Sequence, residues 1–490
     1  MLGAVGRKKL RVSGFGGRRS PKRPGVRAGF TLLELLISLV LTLMLVAALV
    51  QVFALLGENV RRTRGLIEMS TQLRVAISQL KKDLASITVD GSAWSTGRAN
   101  KGYLELLEGA GRDGDLNANG VFFETQEVAP TLIQPAFPTV ATGALFGDVD
   151  DVLMFTAVSQ DEPFRGRVLK KLIDGTSPGY VTIESDTAEI VYWVQRTANG
   201  TVALYRRVML VKPELNQLMA ASLSKIDFDN LANWKVFYLQ NDLSVRPRPS
   251  GKGVIANSLE DLVRRENRFA HDHVIANYPY PIYRELLARD ESSLVAGATV
   301  LETGPVLIGD LLGFDIKVYD PQAPLQLLAV GANSAGQALS LRPGDAGFDV
   351  KTLTAPDASA AGAFVDLGYD SQWKFPTWRG SHFSGPPHRT RPAKQRLAEK
   401  TFSTWPEVYE HDGIDQDADG LIDEGRDGID NDNPAQLGLG VAGVVDDVGE
   451  EETAPPYPYP LRGIEITVRI LDPSTRQLRQ ASVAHDFMGG

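Results

Sequence analysis

The chain has 490 residues, with 51 Lys or Arg against 60 Asp or Glu and a net charge of -9. It contains no cysteine, which excludes thiol catalysis, disulfides and zinc-thiolate sites. The acidic excess lies beyond residue 29, so no nucleic acid is expected as a partner.

Residues 1–29 hold nine Lys or Arg and no Asp or Glu. Losing them leaves 461 residues and takes the charge from -9 to -18. The next stretch is apolar. From Leu35 to Gly57 there are 23 residues without a charge. As a helix they cover about 35 Å, enough for a hydrocarbon core of about 30 Å. Only Arg61, Arg62 and Arg64 follow closely, so the charge asymmetry places the N-terminus in the cytoplasm and the rest outside. Glu34 interrupts the apolar run near its start. A carboxylate there is costly and by default marks function. No small-residue cleavage site follows the run, as a secretory signal would need; the small residue precedes it, at Gly29.

Gly29, Phe30 and Glu34 together resemble the type IV pilin and type II secretion pseudopilin families. The resemblance implies leader removal between Gly29 and Phe30 by a membrane prepilin peptidase, and N-methylation of Phe30. It also implies pairing of Glu34 with the N-terminal amine of a neighbouring subunit during assembly. Expected partners are other pilins or pseudopilins, the peptidase/methyltransferase and an inner-membrane assembly platform. The expected location is the inner membrane, single-pass with a periplasmic globular domain, and then a periplasmic filament.

The helix is expected to continue. Leu66, Met69, Leu73, Ile77, Leu80, Leu84 and Ile87 form one apolar stripe, with Lys81, Lys82 and Asp83 on the polar side. A helix over 30–88 would be about 88 Å long. Its first part, 30–57, would lie in a membrane or filament core. Its continuation, 58–88, would pack on a globular domain over 89–490, although a coiled coil would give the same stripe.

Beyond it, alternating segments predict strands at 151–157, 187–196 and 201–210, the last two joined by a hairpin at Asn199-Gly200. The run from Ile464 to Ile470 alternates likewise, turns at Asp472-Pro473-Ser474 and returns through Val483. These predict antiparallel sheet with one solvated face. The expected fold class is therefore α+β and pilin-like: a long N-terminal helix packed on an antiparallel β-sheet domain. The segments AEIVYWVQ...ALYRRVML and LRGIEITVRILD resemble the J-type minor pseudopilin, or PilW-like minor pilin, group. Residues 213–295 and 331–460 read as large loop insertions, with helices expected near 215–223 and 259–268.

An acidic tract over 410–452 contains fifteen Asp or Glu and one Arg. Such density repels itself unless neutralised. Asp415, Asp417 and Asp419 alternate and Gly420 follows, the spacing with which a loop wraps one hard cation. Leu421, through its backbone carbonyl, with Asp423 and Glu424 would complete a calcium site, because Arg426 stands where an EF-hand carries its closing Glu. Shorter calcium loops of the dockerin or thrombospondin type are the resemblance. Asp412-Gly413-Ile414 recurs as Asp427-Gly428-Ile429, followed by Asp430-Asn431-Asp432-Asn433, but this copy ends in Pro434 and lacks the counterpart of Gly420, so it is expected at most to lend ligands. Asp115, Asn117, Asn119, Gly120 and Glu124 repeat the spacing with less charge, and form a weaker metal candidate beside an Asx-rich turn reading. His271-Asp272-His273 offers two imidazoles without a third ligand and reads as a surface or packed pair. No nucleophile elbow, P-loop or H-E-x-x-H is present, so no enzyme is expected.

These readings make the chain a minor pseudopilin of a type II secretion machine. A minor pilin of a type IV pilus, or a filament-displayed binding protein, would share the same signals.

Overall fold

The computed structural model describes residues 30–95, 102–108, 149, 151–196, 201–219, 228, 230–249, 252–287, 306–329, 338–343, 361–369, 382–383, 401–416, 420–430, 442–446, 450–472 and 477–487. The chain divides into one unit ending at Thr63 and a second beginning at Arg64.

The first unit is helical throughout its described part beyond Thr31, and each of its side chains from Phe30 onward is exposed. Phe30, Leu33, Leu36, Val40, Leu43 and Phe53 are among the apolar groups left uncovered. The helix as an element runs Leu32–Leu84, 53 residues, and is long and apolar enough to cross a membrane.

In the second unit the same helix becomes one-sided. Met69, Leu73, Ala76, Leu80 and Leu84 are buried. Ile77, expected at the centre of the stripe, is only partly buried, whereas Ala76 beside it is fully buried. The helix stops four residues earlier than expected. Ser86 N donates to Asp83 O and Ile87 N to Leu84 O, so the last turn tightens. Thr88 N then donates to Thr156 O at 3.0 Å, which feeds the chain into the sheet.

Six strands build the larger sheet, in the order 306–308, 202–210, 187–196, 152–158, 104–107 and 401–403, all antiparallel. Tyr192 and Arg206 face each other in register and point to the helix. Glu189 and Arg207 lie on the other face, where they bond Ser244, Phe269, Tyr238 and Asn241. Both faces are therefore covered, so the expectation of one solvated face is corrected here. The strand Val152–Val158 is buried at six consecutive positions, which period-two alternation does not reveal.

A second sheet has the order 361–365, 311–324, 463–472 and 477–486, and its last two strands form the expected C-terminal hairpin. The hairpin of 187–196 with 202–210 also forms. The 14-residue strand Leu311–Pro324 was not anticipated. Phe314, Ile316 and Val318 alternate in it with Asp315 and Lys317, whose charges are paired with one another and with Asp366.

The segments read as insertions share the core. Trp234, Phe237, Tyr238, Leu262 and Phe269 pack in one cluster with Leu153, Val191 and Leu80. In the described part of the helix expected at 215–223, and at 259–268, the chain forms instead short 3-10 turns, at Pro213–Gln217, Asp261–Val263 and Arg265–Asn267; 220–223 lie outside the described residues. An α-helix occurs at Leu231–Gln240, where Asn230 caps the end by accepting from Ala232 N at 2.9 Å. Strands 361–365 and 401–403 come from the second such segment and edge the two sheets. The architecture is thus α+β, one long helix with antiparallel sheets.

Asp83 corrects the reading of the helix end. It is buried, not on the polar side with Lys81 and Lys82. Arg206 forks onto it at 2.6 and 2.9 Å, and the Tyr192 hydroxyl donates to it as well. Asp83→Ala should cost about 3–5 kcal/mol, because it leaves a largely buried guanidinium and a phenol without their acceptor. Denaturant melts of the two proteins check this, and a loss below about 1 kcal/mol would contradict it.

Candidate assembly site and acidic loop

Thr31 stands immediately before the first helical residue, and Glu34 lies in the first turn. The Glu34 carboxylate accepts from Thr31 N at 2.9 Å and from Thr31 Oγ1 at 3.1 Å. Thr31 Oγ1 in turn accepts from Glu34 N at 3.2 Å. This is a reciprocal capping box, in which two helix-end amides find side-chain acceptors. The sequence carries the signal as Thr31-x-x-Glu34. Glu34 thus has a local partner within its own chain. One oxygen takes both bonds, leaving the other open to a cation. Phe30 is 81% exposed and Gly29 lies outside the described residues.

The acidic tract has a defined hydrogen-bond frame. Asp415 Oδ2 accepts from Gly420 N at 3.1 Å, and Gly420 has φ +101°, a backbone conformation that side chains with Cβ rarely adopt. The sharp turn expected at Gly420 is therefore present. Asp423 accepts from Asp412 N at 3.0 Å and from Gly413 N at 2.9 Å, closing the loop. Leu421 is exposed and Glu424 is buried. Asp417 and Asp419 lie outside the described residues, as do Asp115, Asn117, Asn119 and Glu124.

The second copy repeats this frame. Asp430 accepts from Gly443 N at 2.5 Å, and Asp446 accepts from Gly428 N at 2.9 Å. Ile414 N and Ile429 N each donate to the Asp two residues earlier. The Gly that seemed missing from the second copy is Gly443, displaced along the chain. Spacing alone could not find it, because 431–441 intervene.

Beneath the loops, Glu452 accepts from Gln416 N and from Asp423 N. Glu410 accepts from Thr453 N, Thr453 Oγ1 and Glu452 N, each at 2.9 Å. Burial nevertheless pushes the Glu410 carboxyl up to about 7. Among the described residues, no three His, Asp or Glu side chains converge as a metal set. The buried Gln416 Oε1 has no hydrogen-bond partner there. The donors are all oxygens, the chemistry of a hard cation.

The His271–His273 pair is packed. His271 Nε2 lies 3.1 Å from Glu105 Oε2, and the His273 ring lies against Trp234. Sequence reading missed the node around Glu105. This carboxylate is wholly buried and meets Arg265 Nη2 at 2.6 Å and Arg268 Nη1 at 2.8 Å. Arg265 also donates to the carbonyls of Pro279 and Tyr280, and Arg268 to those of Leu262, Val263 and Thr404. Every charge is paired and bonded, as burial demands. In sequence, Arg264-Arg265-Glu266-Asn267-Arg268 falls in the helix expected near 259–268, and its charges carry no sign of burial.

Compared with known proteins, the chain matches no family model, no curated protein and no solved structure.

Proposed function

We propose that the chain is a minor pseudopilin of a type II secretion machine. The reading rests on one observation. An exposed apolar helix begins two residues after Phe30, and its only early charge is Glu34, five places beyond Gly29. Cleavage after Gly29 frees the Phe30 amine, which is then methylated. In an apolar bundle the carboxylate of one subunit seeks the ammonium of the next, and that contact fixes axial register between them. The globular domain, covered on both faces of its main sheet, then stands outside the membrane as a pre-folded cargo of the stalk.

Deleting the chain from its native cell should stop release of exported proteins, which would accumulate folded in the periplasm. Undisturbed secretion, with loss of surface pili, would assign the chain to a type IV pilus and overturn this reading.

The acidic loops are proposed to hold Ca2+ through Asp415, Asp417, Asp419, the Leu421 carbonyl, Asp423 and Glu424. Bound calcium would offset part of the tract's negative charge and fix the loop frame. With free Ca2+ near 100 times its Kd, the folded state gains about 2.7 kcal/mol. Thermal melts of the full chain in detergent should therefore rise in Ca2+ and fall in chelator. Superimposable melts would remove the proposal.

A further inference from the structure

Lys317 and Asp366 lie side by side in the second sheet. Val318 pairs with Val365 and Tyr319 with Phe364, so the same register sets Lys317 opposite Asp366. Lys317 Nζ donates to Asp366 Oδ1. Asp315 stands two positions earlier on the strand, on the same face, and its Oδ1 lies 3.1 Å from Lys317 Nζ. None of the three side chains is more than 15% exposed. Ile316, Val318, Val365 and Leu367, the chain neighbours of the trio, are all buried and hold its backbone in place.

The charges of the trio do not balance. One ammonium faces two carboxylates, and Glu108, which accepts from Leu367 N at 3.3 Å, adds a third nearby. Burial alone would lower the Lys317 ammonium, but Asp315, Asp366 and Glu108 overcome it and hold it well above its ordinary range. Burial pushes the Asp315 carboxyl up, and Asp366 adds to this against the pull of Lys317 and Arg469. A proton on Asp315 makes the trio neutral, the state that a desolvated site favours. One proton hop along the hydrogen bond from Lys317 to Asp366 then leaves an amine and a carboxylic acid in contact.

We propose that Lys317 and Asp366 condense into an amide, an internal cross-link between two strands of the second sheet, with Asp315 as the proton carrier. Lys317 Nζ attacks Asp366 Cγ, and the N–C bond forms. Protonated Asp315 gives its proton to the departing hydroxyl and takes one from the nitrogen. The C–O bond breaks, one water leaves, and Asp315 ends as it began. The step needs no oxidant, reductant or cofactor. Between free groups in water such a condensation is unfavourable. Fixing the two in contact reverses this, since well-oriented intramolecular pairs reach effective molarities of about 10⁵–10⁸ M. The bond would tie together residues 49 positions apart, in a chain that has no cysteine with which to do so. This inference does not depend on the chain being a pseudopilin.

Peptide masses test this on the full chain purified in detergent, then denatured and digested with trypsin. Trypsin cuts after Lys and Arg but not after an acylated Lys317. The digest should therefore contain a branched peptide joining 290–351 to 352–374, lighter than the two together by one water. Lys317→Arg keeps a cation for the carboxylates and cannot link, so it should yield 352–374 alone at full mass. Asp315→Ala removes the proton carrier, and general acid–base help of this kind contributes about 10²–10⁴-fold to a rate. At equal times after synthesis its yield of branched peptide should fall at least tenfold, in protein whose far-ultraviolet spectrum matches wild type. Wild-type protein that is cut after Lys317, with 352–374 free and at full mass, would overturn the proposal. Equal yields from wild type and folded Asp315→Ala would overturn the part given to Asp315.

Discussion

Glu34→Ala should leave removal of residues 1–29 intact and abolish entry of the chain into filaments. The carboxylate is proposed to meet a neighbour's ammonium in apolar surroundings. Losing one partner of such a desolvated pair costs about 3–5 kcal/mol, which lowers incorporation more than a hundredfold. The capping box supplies a sharper variant. Glu34→Gln keeps a side chain able to accept from Thr31, since Gln serves at this position of the box as Glu does. It removes only the charge. If charge pairing sets the register, Glu34→Gln fails to assemble almost as completely as Glu34→Ala. If capping the helix is the whole role, Glu34→Gln enters filaments normally. Quantifying the chain in sheared or cross-linked filament fractions separates the two results.

Glu105→Gln should be the most destabilising conservative change in the globular unit. It leaves Arg265 and Arg268 buried with less than their compensating charge, at a cost of about 3–5 kcal/mol at pH 7. Burial alone would push the Glu105 carboxyl up. Arg265, His271 and Arg268 overcome burial and hold it well below the usual carboxylate range. The unfolded chain therefore takes up the proton first as pH falls. The stabilisation is whole above about pH 4.5 and is lost progressively below it. The gap between wild type and Glu105→Gln should narrow over that acid range. His271 works in the same direction over a higher range. Burial holds its imidazole below 6.5, so the unfolded chain protonates first and stability declines as pH falls below 6.5. Glu189, raised by burial, moves stability the opposite way, so the comparison belongs between variants. Denaturant melts from pH 7 to pH 3 give the result. A gap that stays constant would mean that the carboxylate charge is not what holds the two arginines.

The parts legible in sequence were those whose signal is local. The apolar stripe from Met69 to Leu84, the pairing of 187–196 with 202–210 (Asn199-Gly200 between them lying outside the described residues) and the pairing of the two C-terminal strands all announce themselves by period. The sharp turn at Gly420 follows from one residue's backbone freedom. What escaped depends on distant contact. Asp83 reads as part of a charged helix end until Arg206, 123 residues away, is known to face it. Glu105 alternates with Leu104 and Leu106 as a solvent-facing residue would, yet the 261–272 segment covers it. Arg265 and Arg268 look like surface charge for the same reason. The strand Leu311–Pro324 is an exception, since Phe314, Ile316 and Val318 alternate with Asp315 and Lys317 as a strand should and the signal was local. The glycine of the second acidic loop, Gly443, escaped because it lies beyond an interruption that spacing rules do not allow for.

Intact mass measurement of the protein purified from its native membrane, with sequencing of its N-terminal peptide, tests the central claim most directly. A chain that begins at Phe30 with a methylated amine would present a cation to a neighbouring Glu34, as the account requires. A chain that still carries Met1 to Gly29 has no such amine beside its helix, and the assembly account would be contradicted.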